Sequence, residues 1–512
     1  MTVKKKDSQI ILIALSVFIY LLTSFLFLFA GKIHVDEPFY FTITNLVNNN
    51  YLPYRDFFYT QTPLFPYIFS LPQMLLGPGL YTARLTSIFF GLLTLLLVIE
   101  CSWKKGSKNS AVIAAALIGF NPFLIYHFTF VKLYSLLAFL TVLAARILIS
   151  DLNNTLKYSL IALVLSLSTA VRITTLPALI IVALFILLIK KEIIPFICYA
   201  VSGFITLIAV FLPFLINAKE QMIYGIWGYL MDRDVLPFSG IFKAKFLFLS
   251  EFSKHFNLYI ICLVISVYLL LSQKSFNDQF KFKRINEISL CWLILIVLAL
   301  PHLLTKISYV SEYLSFIMPL MALLLGFKIT KFFDSIQNED FKILLTLIFF
   351  IASSIVWVSN TTDFIGLKNK TLPVKYLNQV AEYLKIKTPI DAQILSFNNA
   401  IVILSERKII PGYEMNSCSF DQDWDESRCK KHRILNVDML SKIIENKDAD
   451  AILITENTFL GNFPSFFNIS GIEVTRDTVM PLIKKYYTLD KTYPQLGNMS
   501  ENANLYLPKK GY

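Results

Sequence analysis

Two adjacent carboxylates, Asp36 and Glu37, follow the first long apolar segment of the chain, which ends near residue 30. A carboxylate at a bilayer edge is partly desolvated, so its pKa can rise and it can act as a general base or orient a hydroxyl group. Acidic residues also suit the first turn of a helix, and Pro38 suits its opening. The residue types therefore leave catalysis and helix capping open, and the two roles are compatible.

Isolated cations near the ends of other apolar segments form a second set of candidates, Arg84, Lys132, Arg172 and Lys306. Ionisable residues at membrane depth are energetically expensive, which makes each of them a candidate functional residue. Several cations at one level suit a lipid phosphate, because Arg offers a bidentate fork and Lys a point charge. The alternative for any single cation is that it extends alone to the membrane surface. For the set we predict anion binding.

The composition is that of a protein that crosses a membrane several times. Of the 512 residues, 55% are hydrophobic and 16% are charged, whereas soluble domains carry about 25% charged residues. The net charge of +12 fits basic cytoplasmic loops and does not require a nucleic-acid partner. The sequence contains no Walker loop, GxGxxG turn or zinc spacing, so ATP-driven and dinucleotide chemistry lack support. The histidines also lack metal-ligand spacing, and we expect them to form local hydrogen bonds.

Runs of about 20 apolar residues predict about eleven membrane helices. They lie near 9–30, 83–100, 111–128, 131–149, 157–172, 174–190, 193–216, 257–272, 287–304, 308–327 and 343–359. The short connecting loops are the more basic ones, with Lys104, Lys105, Lys190 and Lys191 among them. The positive-inside rule therefore places these loops and the N-terminus in the cytoplasm, and the long segments 31–82, 217–256 and 360–512 outside.

Residues 360–512 gain charges and lose long apolar runs, which predicts a small extracytoplasmic α/β domain after a membrane domain of residues 1–359. Cys418 and Cys429 both fall in this region. In an oxidising compartment they are expected to form a disulfide, with two unpaired thiols as the alternative. The predicted elements are helices at Val374–Ile386 and Val437–Glu445, strands at Gln393–Phe397 and Ala451–Thr455, and an apolar cluster at Leu505–Leu507.

The first long loop contains the segments Tyr54-Arg55-Asp56-Phe57 and Gln61-Thr62-Pro63-Leu64. Its repeated prolines and aromatic residues predict short helices that lie in the membrane interface. These segments follow Asp36-Glu37, and a late span carries Tyr313 six residues before Pro319, ahead of the soluble domain. In this arrangement the chain resembles the GT-C class of integral-membrane glycosyltransferases. The most similar members are dolichyl-phosphate-mannose protein mannosyltransferases and bacterial aminoarabinose transferases of lipid A.

The resemblance implies transfer of a sugar from a polyprenyl-phosphate carrier to an acceptor on the outer face. It also implies that Asp36 is the catalytic carboxylate and that Lys306 faces the carrier phosphate. Many relatives have a second acidic residue at the start of the fourth span, where this chain has Lys132. A second acidic contribution is therefore in doubt, and Lys132 becomes a candidate phosphate ligand.

The resulting hypothesis is that Asp36 accepts the proton of an acceptor hydroxyl while cations stabilise the departing polyprenyl phosphate. Glu37 is expected to orient Asp36 or to contact the acceptor. A lipid monophosphate already supplies the leaving group, so no nucleotide or metal is required, and the sequence does not support a divalent ion. The residues expected to bind substrate are Tyr54, Arg55, Asp56, Gln61, Arg84, Lys132, Arg172, Lys306 and Tyr313.

Two other functions are compatible with the membrane helices, a flippase for lipid-linked sugars and a non-catalytic envelope protein. Transporters often show internal repeats and ionisable residues at the bilayer midplane. This sequence shows no repeat, and its ionisable residues gather at one membrane face. A non-catalytic protein leaves Asp36-Glu37 and the cation set unexplained. We therefore favour the enzyme.

Overall fold

The computed structural model describes residues 2–232, 238–272, 286–304, 311–421, 423–455, 472–497 and 500–509. Within these ranges, all eleven predicted segments contain helix. Eight helices are long and apolar enough to cross a membrane, and a pair bent by 90°, Ser239–His255 and Asn257–Leu269, can count as a ninth span. Two predicted spans correspond to shorter apolar helices, Lys108–Gly119 and Tyr134–Leu148. The chain is thus a polytopic α-helical membrane protein, as predicted.

The helices that precede the C-terminal domain are Thr2–Ala30, Glu37–Asn48, Leu64–Leu76, Leu80–Lys105, Lys108–Gly119, Pro122–His127, Tyr134–Leu148, Asn154–Val171, Leu176–Leu184, Ile193–Ile223, Tyr229–Met231, Phe238–His255, Asn257–Ser272, Glu287–Leu304, Met318–Ser335 and Glu339–Thr361. Short 3-10 or π segments lie at Ile173–Thr175, Phe185–Lys190, Tyr224–Gly228, Ser311–Ile317 and Thr362–Phe364.

The predicted spans 111–128 and 131–149 are interrupted where the sequence alone suggested near-continuous helix. Asn121 ends one helix and caps the next, because its Oδ1 accepts the Leu124 N–H at 2.9 Å and Pro122 cannot continue the preceding hydrogen-bond ladder. The segment from Phe128 to Leu133 then runs as buried irregular backbone. Non-helical chain at membrane depth is tolerated only where protein surrounds it. Here it brings Lys132 into the interior of the helix bundle.

The first long loop folds into the short helices Glu37–Asn48 and Leu64–Leu76, which pack against each other. Pro38 lies in the first turn of the former, and Asn50 adopts a left-handed conformation (φ 64°) just after its end. The second helix exposes Met74, Leu75 and Leu76. Two short helices in this loop agree with the sequence-based prediction.

Hydrogen bonds join helix Thr2–Ala30 and the residue after next to helix Glu339–Thr361 and the segment that follows it. Trp357 Nε1 donates to Thr23 Oγ1 at 2.8 Å, and the Gly366 N–H donates to the Ala30 carbonyl at 3.0 Å. The Lys32 N–H donates to the Phe364 carbonyl at 2.9 Å. These bonds hold the segment that leads to Asp36 against the last described membrane helix and the residues that follow it.

The described part of the C-terminal domain contains the strands β1 (Gln393–Ser396), β2 (Lys408–Ile409), β3 (Ala451–Thr455), β4 (Tyr487–Tyr493) and β5 (Ala503–Pro508). They form a five-stranded mixed sheet with the order β2-β1-β3-β5-β4. Strand β1 pairs in parallel with β2 and β3, whereas β5 pairs antiparallel with β3 and β4. Every residue of the central strand β3 is buried. The helices of this part are Pro373–Lys387, Asn399–Leu404, Glu426–His432, Val437–Glu445 and Ile472–Tyr486.

The predicted disulfide is not formed in this domain. Cys418 lies in the 3-10 turn Asn416–Ser419, whereas Cys429 lies in the helix Glu426–His432, and no bond joins the two sulfurs. Cys429 is fully buried with its Sγ 4.0 Å from the Trp424 carbonyl oxygen. Burial raises the pKa of the Cys429 thiol to about 11, which keeps it protonated and unreactive at neutral pH.

Candidate functional site

Asp36 and Glu37 are adjacent in sequence, but their carboxylates point into different environments. Helix Glu37–Asn48 begins directly after Asp36, whose backbone occupies the N-cap position. The Asp36 side chain makes no capping hydrogen bond, so it is available for another role. Helix Asn399–Leu404 of the C-terminal domain packs against this same helix, which links the soluble domain to the start of the site.

Glu37 forms a fully buried ion pair with Arg84, which we call the buried pair. Arg84 Nη2 lies 2.6 Å from Glu37 Oε2, Arg84 Nε lies 2.7 Å from Oε1, and the two side chains are 0–1% exposed. Arg84 Nη1 also donates to the carbonyls of Phe27 and Leu28 at the end of the first helix, and the Val131 N–H donates to Glu37 Oε1. The buried pair thus joins four chain segments and has no open face toward a substrate.

Lys132 bridges two carboxylates that are far apart in sequence. Its Nζ lies 2.6 Å from Asp36 Oδ2 and 2.6 Å from Glu312 Oε1. The Lys132 side chain is 3% exposed, so removal of its charge from water must be offset by these two acids. Lys132 was a predicted phosphate ligand; in the structure its direct partners are carboxylates.

Glu312 is the hub of what we call the open cluster, Asp36, Lys132, Glu312 and His34. Glu312 Oε1 accepts from Lys132 and from the Tyr134 hydroxyl at 3.1 Å, and its Oε2 lies 2.8 Å from His34 Nε2. His34 Nδ1 accepts the Asp36 N–H at 3.1 Å, which requires the imidazole proton to sit on Nε2. The His34 ring also stacks on Phe130, with centroids 4.4 Å apart.

Asp36 is the accessible member of the open cluster. Its side chain is 45% exposed, against 7% for Glu312. Burial has the largest single effect and raises the pKa of Asp36. The main opposing group is the Lys132 ammonium, which acts through both its charge and its hydrogen bond, and the net result is a pKa below the usual aspartate value. Asp36 is therefore ionised at neutral pH. Only its Oδ2 accepts a hydrogen bond from the described residues, so Oδ1 is available to a ligand.

Arg172 lies close to the open cluster across two tyrosine rings. Its guanidinium carbon is 4.9 Å from the Tyr313 ring centroid and 6.0 Å from that of Tyr134. Lys132 Nζ faces the same two rings, 4.9 Å from Tyr134 and 5.9 Å from Tyr313. Among the described residues Arg172 has no carboxylate partner, so its positive charge remains available to an anion.

The other predicted substrate-binding residues lie in the first loop, where they bond to one another. The buried Tyr54 hydroxyl donates to the Gln61 carbonyl, and Arg55 forms a bidentate pair with Asp56 at 2.7 and 2.8 Å. These contacts stabilise the loop conformation around Tyr54, whose backbone is left-handed (φ 70°). Lys306 lies outside the described residues.

The sequence-based prediction did not include Glu312 and His34 among the site residues. The signal for Glu312 was present, because a lone acid at the end of an apolar span is a candidate functional residue. His34 carried no such signal, since its role depends on the fold. Among the described residues no group of three or more His, Cys, Asp or Glu side chains is arranged to hold a metal ion.

No protein-family model and no curated protein sequence matches the chain. Solved structures do match it over nearly the full length. ArnT from Cupriavidus metallidurans in the apo state is 8% identical, with a TM-score of 0.63 over 98% of both chains. The same protein bound to undecaprenyl phosphate is 9% identical, with a TM-score of 0.60 over 97% of both. The oligosaccharyltransferase of Archaeoglobus fulgidus in the apo form is 12% identical, with a TM-score of 0.56 over 100% of this chain and 75% of that one.

At these identities the likeness concerns the fold. The chain has the GT-C fold that its sequence predicted, a polytopic helical membrane part with a C-terminal domain that contains a small sheet.

Proposed function

We propose that the chain is a glycosyltransferase that moves a sugar from a polyprenyl-phosphate-linked donor to an acceptor on the extracytoplasmic side of the membrane. The observation that carries this proposal is the open cluster with its ionised and accessible Asp36, together with Arg172, which faces the same two tyrosine rings as Lys132 and has no carboxylate partner among the described residues. The fold supports the same class, because ArnT and an oligosaccharyltransferase share it, and ArnT binds undecaprenyl phosphate. The outward orientation follows from the basic short loops.

In the proposed reaction Asp36 Oδ1 accepts the proton of the acceptor hydroxyl. The acceptor oxygen forms a bond to the anomeric carbon, the bond from that carbon to the phosphate oxygen breaks, and its electron pair leaves with the polyprenyl phosphate. A carboxylate whose pKa is low is a weak base. It suffices here because the acceptor oxygen becomes strongly acidic as its bond to the sugar forms, so proton transfer is late.

Arg172 is the proposed ligand of the departing phosphate. The leaving group gains negative charge as the glycosidic bond breaks, and a preorganised guanidinium stabilises this charge more in the transition state than in the ground state. Lys132 acts through Asp36, because its ammonium is already shared by two carboxylates. Lys306 stays a predicted phosphate ligand. The buried pair holds the backbone on both sides of Asp36 in place and does not contact the substrate in this proposal.

The test is release of polyprenyl phosphate by the purified full chain in lipid. The enzyme is incubated with a panel of polyprenyl-monophosphate sugars and a crude envelope extract as acceptor, and wild type is compared with Asp36→Asn. We expect release with one donor class, and a loss of about 10²–10⁴-fold in Asp36→Asn. Asp363→Asn is a matched control, because this carboxylate is similarly exposed, at 41% against 45% for Asp36, but pairs with Lys254 and was not predicted to bind substrate.

Three outcomes contradict the proposal or its details. Full activity in Asp36→Asn removes Asp36 from the role of base. Equal losses in Asp36→Asn and Asp363→Asn indicate that the loss of transfer is not specific to Asp36. If no donor is consumed but labelled lipid moves between leaflets, the protein is a flippase.

A further inference from the structure

A basic cleft lies between the membrane part and the C-terminal domain, away from the open cluster. Its volume is about 290 Å³. One wall is formed by the end of the long helix Ile193–Ile223 and by Arg55 of the first loop, and the other by the end of helix Glu426–His432 and the residue after it. The lining residues are Arg55, Asn217, Ala218, Gln221, Lys430, Lys431 and Arg433. Four of the seven are cations and none is an acid.

The cleft has walls that are held in place by hydrogen bonds across the two domains. Arg433 Nε donates to the Arg55 carbonyl at 3.0 Å, and Gln221 Nε2 donates to the Lys431 carbonyl at 3.1 Å. Arg433 also adopts a left-handed backbone conformation (φ 59°), which residues with a side chain seldom adopt. A cation is thus positioned at the domain junction at a point where glycine is the usual residue.

The four cations differ in what neutralises them. Three of them pair with carboxylates outside the cleft lining: Arg55 with Asp56, Lys430 with Glu426 at 2.6 Å, and Lys431 with Glu220 at 2.6 Å. Arg433 has no carboxylate within salt-bridge distance among the described residues, and its two terminal nitrogens keep their donors for a ligand. The cleft therefore has one guanidinium that makes no direct ion pair with the described residues, with three further cations around it.

The position of the cleft along the long helix corresponds to the membrane surface. At 1.5 Å per residue, Asn217 lies about 36 Å along the helix from its start at Ile193. The helix is kinked at the next residue, Ala218, and Gln221 lies just beyond this kink. A bilayer is about 30 Å thick in its hydrocarbon core and about 40–45 Å with its headgroups. The same stretch of helix exposes Leu212, Leu215 and Ile216, as a lipid-facing surface does. A ligand in the cleft is thus at the level of a lipid headgroup.

We propose that this cleft binds the phosphate group of a lipid headgroup, through the fork of Arg433 and the ammonium groups of Lys430 and Lys431. A phosphate carries enough negative charge to bind Arg433 and to compete with Glu426 and Glu220 for the two ammonium groups, whereas a neutral sugar does not. That this lipid is the acceptor of the transfer reaction rests on the proposed function. The binding itself does not depend on the open cluster.

The test is calorimetric titration of the full chain, in nanodiscs of neutral phosphatidylcholine, with dihexanoyl phosphatidic acid in one arm and inorganic phosphate in the other. We expect saturable binding that weakens with added salt and drops at least tenfold in Arg433→Gln. Arg433→Lys keeps the charge but loses the two-pronged guanidinium, so its affinity should lie between those of wild type and Arg433→Gln. Lys485→Gln, an exposed cation of the same domain outside the cleft, should bind as wild type does.

A second variant separates binding from folding. Because Arg433 also bonds across the domain junction, Lys430→Gln, whose side chain is 67% exposed, is measured as well and should weaken binding severalfold without a change in melting temperature. Tighter binding of the lipid than of inorganic phosphate supports a headgroup site, and equal affinities assign the cleft to free phosphate instead. Absence of binding in both arms, or equal losses in Arg433→Gln and Lys485→Gln, overturns the proposal. Binding retained in Asp36→Asn shows that this site stands even if the transferase proposal fails.

Discussion

The buried pair and the open cluster begin at adjacent residues and use the same chemistry, but they are built for different purposes. In the buried pair, Glu37 and Arg84 meet with both carboxylate oxygens and the guanidinium fork engaged, and neither side chain reaches solvent. In the open cluster, one ammonium is shared between Asp36 and Glu312, and Asp36 keeps an accessible side chain. The candidate base is therefore identified by an accessible side chain with an oxygen free of hydrogen bonds to the described residues, more than by the presence of an ion pair.

The difference follows from how each ion pair offsets the loss of hydration. Arg84 also donates hydrogen bonds to the Phe27 and Leu28 carbonyls, so each of its three guanidinium nitrogens has an acceptor. Lys132 cannot satisfy two carboxylates fully, and with a neutral His34 the open cluster carries one net negative charge. The nearby guanidinium of Arg172 complements this charge across the tyrosine rings. An open site of this kind accepts both a hydroxyl donor and an anionic leaving group.

The largest effects are expected when each of the two adjacent acids is neutralised separately. Glu37→Gln leaves the Arg84 guanidinium buried without its counter-charge, which should destabilise the protein by about 3–5 kcal/mol. Asp36→Asn should leave the melting temperature near that of wild type and abolish transfer as described above. Thermal unfolding in detergent and polyprenyl-phosphate release, measured on both variants, separate the two effects. A stable Glu37→Gln protein with reduced transfer would place Glu37 in the reaction instead.

The next largest effect is expected from Arg172→Gln. Loss of a charge-assisted contact to the donor phosphate should lower kcat/KM for the donor by about 10–100-fold. A large change in stability is not expected, since in the described part of the chain Arg172 has no acid partner that would be left unpaired. The control is Arg146→Gln, a half-buried arginine paired with Glu100 in a separate ion pair. If Arg146→Gln lowers kcat/KM as much as Arg172→Gln does, the effect is not specific to the phosphate.

The composition and apolar runs predicted the membrane helices because length and hydropathy are local properties. They also predicted helix Val437–Glu445 and strand Ala451–Thr455 with the observed bounds. The sequence did not reveal strand β4, Tyr487–Tyr493, whose interior residues are all exposed. An edge strand with charged residues lacks the alternation by which strands are recognised.

The candidate site was predictable only in its local part. Asp36, Lys132 and Arg172 were found because each is an ionisable residue near the end of an apolar run. Which of them meet could not be found, since Lys132 and Glu312 are 180 residues apart in the chain. The break in helix at Asn121-Pro122 that carries Lys132 inward also depends on a tertiary contact, because Asn121 Nδ2 donates to the His255 carbonyl.

A smaller effect, on pH dependence, tests how the open cluster tunes Asp36. The pKa of Asp36 is held low by Lys132, so wild-type transfer should stay constant from about pH 8 down to pH 5 as far as Asp36 is concerned. In Lys132→Gln the burial that raises the pKa remains while the cation that lowers it is lost. The acid limb of the rate profile should therefore move to higher pH. Lys132→Arg keeps the charge, so the acid limb of its pH–rate profile should stay at the wild-type position. An acid limb that does not move in Lys132→Gln contradicts this role of Lys132.

The smallest expected effect is the response to metal removal. The Lys132 ammonium occupies the gap between the carboxylates of Asp36 and Glu312, 2.6 Å from each, and it repels a divalent cation from the position that two acids would otherwise offer. We therefore expect the rate of transfer to be unchanged after treatment with EDTA. In Lys132→Gln the same two carboxylates face each other with His34 beside them, a ligand set that suits Mn²⁺ or Zn²⁺. This variant should lose residual activity on chelation and regain it with added Mn²⁺. Wild-type activity that falls with EDTA and returns with Mg²⁺ would show that the reaction uses a metal despite the bridging ammonium.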